Sequence, residues 1–147
     1  MNKFRTLVIA TFLAGGISGC HKSSPPTTHF FKATVNGGSF VATSITYTLN
    51  NTSSKPFTEV IGFNSFGEID IKLFYYPGVA ETIPVKFTSG TTLYATVNYF
   101  VSGTGSHNAV YGSVVITNTG PDFTGTFYCT TNDSTKITEG SFNAATF

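Results

Sequence analysis

The chain has 147 residues and is close to electrically neutral, with 8 Lys and Arg residues against 7 Asp and Glu residues. A chain of this length has room for one ordinary domain but not for two of typical size. Beyond residue 19 it contains six lysines, seven carboxylates and no arginine, which gives a net charge of −1. This balance excludes binding to nucleic acid through clustered cations. It also removes the guanidinium group that commonly holds phosphates and carboxylates.

The first twenty residues have the pattern of an export signal. Lys3 and Arg5 precede an apolar run over residues 7–13, and small residues follow before a cysteine. We predict that residues 1–19 are a cleaved signal peptide. A membrane-spanning helix is the alternative, but such a helix needs about twenty predominantly apolar residues. The run is shorter than that, and glycines follow it.

The motif Ile17-Ser18-Gly19-Cys20 resembles the lipobox of bacterial lipoproteins. The resemblance implies that the Cys20 sulfur receives a diacylglycerol, that the signal is cut before Cys20, and that the new amino terminus is acylated. Two or three acyl chains would anchor the protein durably, because a single chain binds a membrane only marginally. The lipidated chain would form no intrachain disulfide, since Cys129 is the only other cysteine.

Residues 20–29 have the composition of a tether between this anchor and the domain. The pair Pro25-Pro26 favours extended backbone, and polar residues surround it. At up to ~3.6 Å per residue, the tether could hold the domain roughly 30 Å from the lipid headgroups. In enteric-type bacteria an aspartate after the lipidated cysteine favours retention in the inner membrane. His21 stands there in this chain, so the analogy implies the outer membrane. Some surface-exposed lipoproteins carry an acidic run in the tether, and its absence here favours the periplasmic leaflet over the cell surface.

Residues 30–147 have the composition of a single all-β domain. Thr, Ser, Asn and Gly are abundant, and the whole chain has 15 Phe residues; this mixture suits pleated surfaces and tight turns. We predict an antiparallel β-sandwich or flattened barrel of eight or nine short strands, joined mostly by sequential hairpins. Asn36-Gly37-Gly38 is the strongest hairpin signal, and residues 102–108 are predicted to form a loop. The predicted strands cover residues 31–35, 40–49, 59–64, 68–75, 82–87, 92–101, 110–117, 123–130 and 137–147.

Segments near both ends of this domain resemble a family of small Bacteroidetes-type lipoproteins classed as a domain of unknown function. The similar stretches are residues 31–42 near the start and residues 112–117, 123–127 and 137–142 near the end. In outline they span most of the domain, and each has the pattern of a hairpin or a strand. The resemblance implies an all-β module tethered to a membrane, and it transfers no catalytic residue.

The segment 68–73 alternates charged and aliphatic residues. Glu68, Asp70 and Lys72 are expected on one face of a strand, with three aliphatic residues on the other. Two carboxylates on one face could serve as the acid and nucleophile of a glycosidase. The solvated outer face of a half-buried strand explains the alternation more simply, so no catalytic residue is predicted.

Metal ligands, cofactor loops and reactive thiols receive no support from the sequence. The acidic loop residues Asp122 and Asp133 lack the spacing of a calcium loop, and turn formation accounts for both. The histidines are scattered along the chain and predict no zinc site. Cys129 shares a strand face with Phe123 and Phe127, which predicts a buried structural thiol rather than a catalytic one.

Aromatic residues carry the one positive indication of function. In the predicted strand 92–101, alternation places Tyr94, Asn98 and Phe100 on the outward face. Exposed aromatic rings beside an amide are typical of surfaces that bind sugars or peptides. The alternative is that these rings only stabilise the sheet through cross-strand pairs.

The leading hypothesis is a non-catalytic binding or accessory lipoprotein of the cell envelope, with a glycan, a peptide or an envelope protein as its partner. A structural envelope protein is the second hypothesis. A hydrolase with a site assembled from distant residues is the third. A contiguous patch of Tyr, Phe and Asn would favour binding, a uniform Thr and Ser surface would favour the structural role, and a pocket containing Glu68, Asp70 or His107 would favour catalysis.

Overall fold

A computed structural model describes residues 28–51, 55–86 and 94–146. The predicted signal peptide, Cys20 and most of the predicted tether lie outside these ranges. The described residues form ten β-strands and no α-helix, which confirms the predicted all-β class and exceeds the predicted strand count. The strands are β1 (Phe30–Val35), β2 (Gly38–Val41), β3 (Ser44–Asn50), β4 (Phe57–Asn64), β5 (Gly67–Leu73), β6 (Glu81–Pro84), β7 (Ala95–Val101), β8 (Gly105–Thr119), β9 (Asp122–Thr131) and β10 (Lys136–Ala145).

The ten strands belong to one curled antiparallel sheet, which agrees with the predicted flattened barrel. Its order is β2-β1-β10-β9-β8-β7-β5-β4-β3, and β6 pairs with β8 beside this path. Most neighbours are consecutive in the chain, as predicted from the turn signals. The exceptions are β1 with β10, β5 with β7, and β6 with β8. These long-range pairs curl the chain into a closed core.

The β1–β2 hairpin forms where Asn36 and Gly37 predict it. Both residues have positive φ, 48° and 82°, as the tight turn favoured between antiparallel strands requires. The predicted strand 40–49 is divided, because the chain bends at Ala42 and Thr43. There the amides of Ala42 and Thr43 donate to the carbonyls of Phe31 and Phe63, at 2.9 Å and 2.7 Å. This break accounts for the tenth strand.

Strand β8 is 15 residues long and joins the two halves of the sheet. Its first residues pair with β7 and the remainder pairs with β9, with a register shift between Ala109 and Tyr111. The predicted loop 102–108 was therefore too long, since only Ser102–Thr104 form the turn. The Gly and Ser residues that suggested a loop instead start a strand whose partner fixes it.

The core is rich in phenylalanine. Phe142 lies at its centre, with ring centroids 6.2 Å from Phe31, 5.8 Å from Phe123 and 6.4 Å from Phe127. Cys129 is 2% exposed in the same core, which confirms the predicted burial. Because burial penalises the thiolate, the pKa of Cys129 is raised to about 12.

Within the described ranges, no helix has the length and apolar character needed to cross a bilayer.

Candidate ligand-binding surface

The outer side of β5 and β7 carries a mixed polar and aromatic surface, which we call the β5–β7 face. The inner side of β5 is apolar: Ile69, Ile71 and Leu73 are at most 1% exposed. Strict alternation therefore turns the intervening residues outward, as predicted from the sequence. The antiparallel register pairs Glu68 with Phe100, Asp70 with Asn98, and Lys72 with Thr96.

Two of the three predicted binding residues lie together on this face. Phe100 is 43% exposed, and the amide of Asn98, two residues away, donates to Asp70 Oδ2 at 3.5 Å. Tyr94 comes one residue before β7 and stacks on Phe74, with centroids 4.8 Å apart and planes 24° apart. Six residues of extended chain place Tyr94 about 20 Å along the strand from Phe100. The rings thus bracket a polar centre instead of forming one patch.

Asp70 is more enclosed than a solvated outer face implies, which corrects the sequence expectation. Its Oδ1 atom is shielded from solvent and accepts no hydrogen bond from the described part of the chain. Burial raises the pKa of Asp70 to about 6, and the negative charge of Glu59 adds to the effect. Asp70 lies between Ile61 of β4 and Asn98 of β7, which flank it on the two neighbouring strands.

Lys72 is held in a fixed position beside Asp70. Its Nζ lies 2.9 Å from Glu59 Oε1 and 4.1 Å from the centre of the Phe57 ring. A cation over an aromatic face is attracted by the ring quadrupole, and here it is also paired with a carboxylate. The only lysine of the β5–β7 face among the described residues is therefore already engaged within the protein.

Sequence reasoning missed Glu59 and Phe57, which belong to β4. The signal that could have found Glu59 is the short turn at Ser65 and Phe66, since a hairpin pairs residues at equal distances from its turn. Asn64 pairs with Gly67, and the same register places Glu59 opposite Lys72. Phe57 lies two residues before Glu59 at the start of β4, and its contact with Lys72 is visible only from the side-chain geometry.

The chemistry of this face suits recognition better than bond cleavage. A carboxyl group with a raised pKa can act as a general acid, but Asp70 Oδ1 has no access to a substrate. His107, the third residue considered for catalysis, lies elsewhere and pairs through Nδ1 with Asp133 Oδ2 at 2.9 Å. Asp133 also accepts hydrogen bonds from Thr131 and Thr135, so it caps a turn as predicted.

Cation ligands are dispersed over the described ranges, where no group of three or more His, Cys, Asp or Glu side chains could hold a metal ion. His29 lies 3.3 Å from Asp122 in an exposed pair, and His21 falls outside the described residues. Asp122 and Asp133, the two acidic loop residues considered for calcium, are thus engaged with different histidines.

No protein family model, no curated protein and no solved structure matches this chain.

Proposed function

We propose that this chain is a non-catalytic binding module of the bacterial cell envelope, tethered by lipid on Cys20, that binds a glycan through the β5–β7 face. The observation that carries the proposal is the exposed Phe100 ring beside the Asn98 amide and the Glu68 carboxylate on paired strands. An aromatic ring covers the apolar face of a sugar, and amide and carboxylate groups hydrogen-bond its hydroxyls. The two strands hold these groups at fixed spacing.

An extended ligand fits this surface better than a compact one. The rings of Phe74 and Tyr94 lie at one end of the face and Phe100 at the other, roughly 20 Å apart. Between them the hydroxyl of Thr96 and the amide of Asn98 offer polar contacts along β7. A chain of sugar units could contact both ends. The binding test below distinguishes such a glycan from an extended peptide.

The proposed tether limits where the ligand can be. If Cys20 is acylated, residues 21–29 keep the domain within roughly 30 Å of the lipid headgroups. Partners are then envelope components at an outer membrane, with the periplasmic leaflet favoured. The lipobox resemblance and the short apolar segment before it support the lipid anchor, and His21 after Cys20 supports the outer membrane.

The test is glycan-array binding by the full-length protein in a detergent without a sugar headgroup. Phe100→Ala and Asn98→Ala should each weaken binding by about tenfold, as expected for losing a ring contact or a paired polar group. Phe66→Ala is the matched control, because Phe66 is 74% exposed and lies in the β4–β5 turn.

Binding that Phe100→Ala leaves unchanged would overturn the assignment to this face. A blank glycan array together with capture of an envelope peptide would replace the ligand class. Blank results with both would contradict a binding function.

A structural envelope role is the second candidate. It is favoured by the outer side of β9, where Thr124, Thr126 and Thr130 alternate with buried residues. The hydroxyls of Thr117 and Thr124 bond each other across β8 and β9 at 2.8 Å. Such self-satisfied pairs stabilise a sheet without offering a site.

A further inference from the structure

A second exposed aromatic pair lies on the other half of the sheet. Tyr111 on β8 is 65% exposed and Tyr128 on β9 is 46% exposed. Their ring centroids are 6.3 Å apart with planes at 59°, and hydrogen bonding with Tyr111 raises the pKa of Tyr128. The residues on either side of Tyr128, Phe127 and Cys129, point into the core. Both tyrosines are therefore surface groups that the core does not need.

A groove of about 310 Å³ begins at Tyr128 and runs over β8, β9 and β10. Its polar side-chain groups are four hydroxyls and one carboxylate. The lining residues are Ser113, Val115, Thr126, Phe127, Tyr128, Glu139, Gly140 and Ser141.

Glu139 is placed at this groove by an irregularity in β10. Its φ is +52°, and the register between β10 and β9 shifts between Ile137 and Gly140. A bulge of this kind re-aims a side chain that regular alternation would place differently. Glu139 Oε2 accepts a hydrogen bond from Thr34 Oγ1 at 3.0 Å, which orients the carboxylate while leaving Oε1 for other contacts.

We propose that the Tyr111–Tyr128 pair and this groove form a binding site for a neutral carbohydrate. The two rings supply flat apolar area, and the hydroxyls and carboxylate supply partners for sugar hydroxyls. The groove lining contains no lysine, arginine or histidine to hold a phosphate or another anion. The neighbouring Lys32, opposite Ser141 on β1, has its Nζ 5.6 Å from the centre of the Phe30 ring. An apolar peptide would leave the hydroxyls and the carboxylate unpaired.

This site uses different residues from those of the β5–β7 face, so each of the two proposals can be correct or wrong independently of the other. Strand β8 connects the two, because Asn108 pairs with Asn98 and Tyr111 follows three residues later. One long glycan could contact both surfaces, or each could bind alone.

The experiment is affinity electrophoresis of the full-length protein in a sugar-free detergent, through gels containing soluble β-glucan, xylan, mannan or galactan. At least one polysaccharide should retard the protein. Tyr128→Ala and Tyr111→Ala should each weaken that retardation by about tenfold. Tyr128→Phe keeps the ring and should retain most of the binding, whereas Phe66→Ala should behave as the wild type.

Absence of retardation by all four polysaccharides would overturn the site. Retardation that Phe100→Ala abolishes and Tyr128→Ala leaves intact would also overturn it, while supporting the β5–β7 face. A melting temperature of Tyr128→Ala close to that of the wild type would show that lost binding does not reflect unfolding. If this variant unfolds, the Tyr128→Phe and Glu139→Gln variants decide the question. Tyr128→Phe should still bind the polysaccharide, and Glu139→Gln should bind it more weakly.

Discussion

At the scale of single residues, Asp70 is the carboxylate whose environment differs most from water. Its pKa of about 6 lies above the ordinary value of 3.8, so the folded state holds the proton more tightly than the unfolded state. Stability contributed by the protonated form is present below about pH 4 and is lost as the pH rises towards 6. Ionised Asp70 thus destabilises the folded chain at neutral pH.

We therefore expect Asp70→Asn to raise the free energy of unfolding at about pH 7.5 by on the order of 2 kcal/mol, and to change it little near pH 4. Asparagine is neutral at both values and can still accept the hydrogen bond from Asn98. Urea unfolding followed by circular dichroism at the two pH values measures the difference. An equal effect at both would mean that packing, not charge, dominates at this position.

Asp133 provides the control of opposite sign. A hydrogen bond from Thr131 lowers the pKa of Asp133, and bonds from Thr135 and the nearby His107 act in the same direction. Its stabilising contribution is present above the unfolded pKa and is lost as the pH falls through the folded pKa. Asp133→Asn should therefore destabilise the protein at neutral pH and become neutral in acid, which the same unfolding series would show.

Cys129 should be chemically inert while the protein is folded. The thiolate is the reactive form, and burial raises the pKa of this thiol to about 12. A maleimide at about pH 8 should label the position only in urea-unfolded protein. The Cys129→Ser variant identifies the signal, and rapid labelling of the folded chain at Cys129 would contradict the buried setting.

The residue pattern predicted which side of the sheet each side chain faces better than it predicted how deeply that side chain is buried. Alternation over 68–73 correctly separated the charged face from Ile69 and Ile71, because the strand repeat is local. It did not predict that the Oδ1 atom of Asp70 is shielded from solvent, because this shielding depends on the neighbouring strands. The role of Lys72 as an engaged cation was also hidden, since its partners Glu59 and Phe57 come from another strand.

At the scale of elements, close approach of β8 and β9 depends on Gly112. A Cβ at this position would lie 2.2 Å from the carbonyl oxygen of Tyr128, and φ is +153°. We expect Gly112→Ala to destabilise the protein by about 1–3 kcal/mol through overpacking. It should also disturb the proposed carbohydrate site, because Tyr111 and Tyr128 both adjoin this contact.

Gly78→Ala is the matched control for that substitution. Nothing lies within 4 Å of a Cβ at Gly78, so its effect should stay within about 0.5 kcal/mol. Thermal unfolding of both variants makes the comparison, because replacing glycine lowers the entropy of the unfolded chain and by itself does not destabilise the folded state. A loss in Gly78→Ala as large as that in Gly112→Ala would show that the contact with Tyr128 is not the cause.

Elements with a strong local signal were predicted well, and elements defined by a partner were not. Asn36 and Gly37 form their hairpin as expected, because the turn conformation is a property of those two residues. Gly105 and Ser106 were assigned to a loop on composition, but pairing with Val101 and Phe100 makes them strand. The same reasoning correctly placed Asn98 and Phe100 on one face and could not foresee that Tyr94 stacks on Phe74.

At the scale of the whole molecule, the fold depends on contacts between distant parts of the chain. The first described strand pairs with the last, and Phe31 lies directly opposite Phe142 in that pairing. Loop closure on this scale carries no local sequence signal, so the strand order was left open by the sequence. The observed strand order places both proposed binding surfaces on the outer side of one sheet, around one shared core.

Phe142 tests whether that core is one cooperative unit. Its ring packs against Phe31, Phe123 and Phe127 and covers Gly125, where a Cβ would lie 2.6 Å from the ring. We expect Phe142→Ala to cost about 3–5 kcal/mol of unfolding free energy, because the cavity lies among large rings that cannot collapse into it. Phe142→Leu keeps most of the volume and should lose less.

Urea unfolding measured in parallel by circular dichroism and by maleimide labelling of Cys129 distinguishes cooperative from local loss. Both transitions should shift together in Phe142→Ala, because β9 and β10 share the ring cluster with β1. Labelling that precedes the circular dichroism transition would indicate that β9 and β10 open separately. In that event the Tyr111–Tyr128 groove, which spans these strands, could be lost while the β5–β7 face stays folded, and the two proposed surfaces would differ in stability as well as in position.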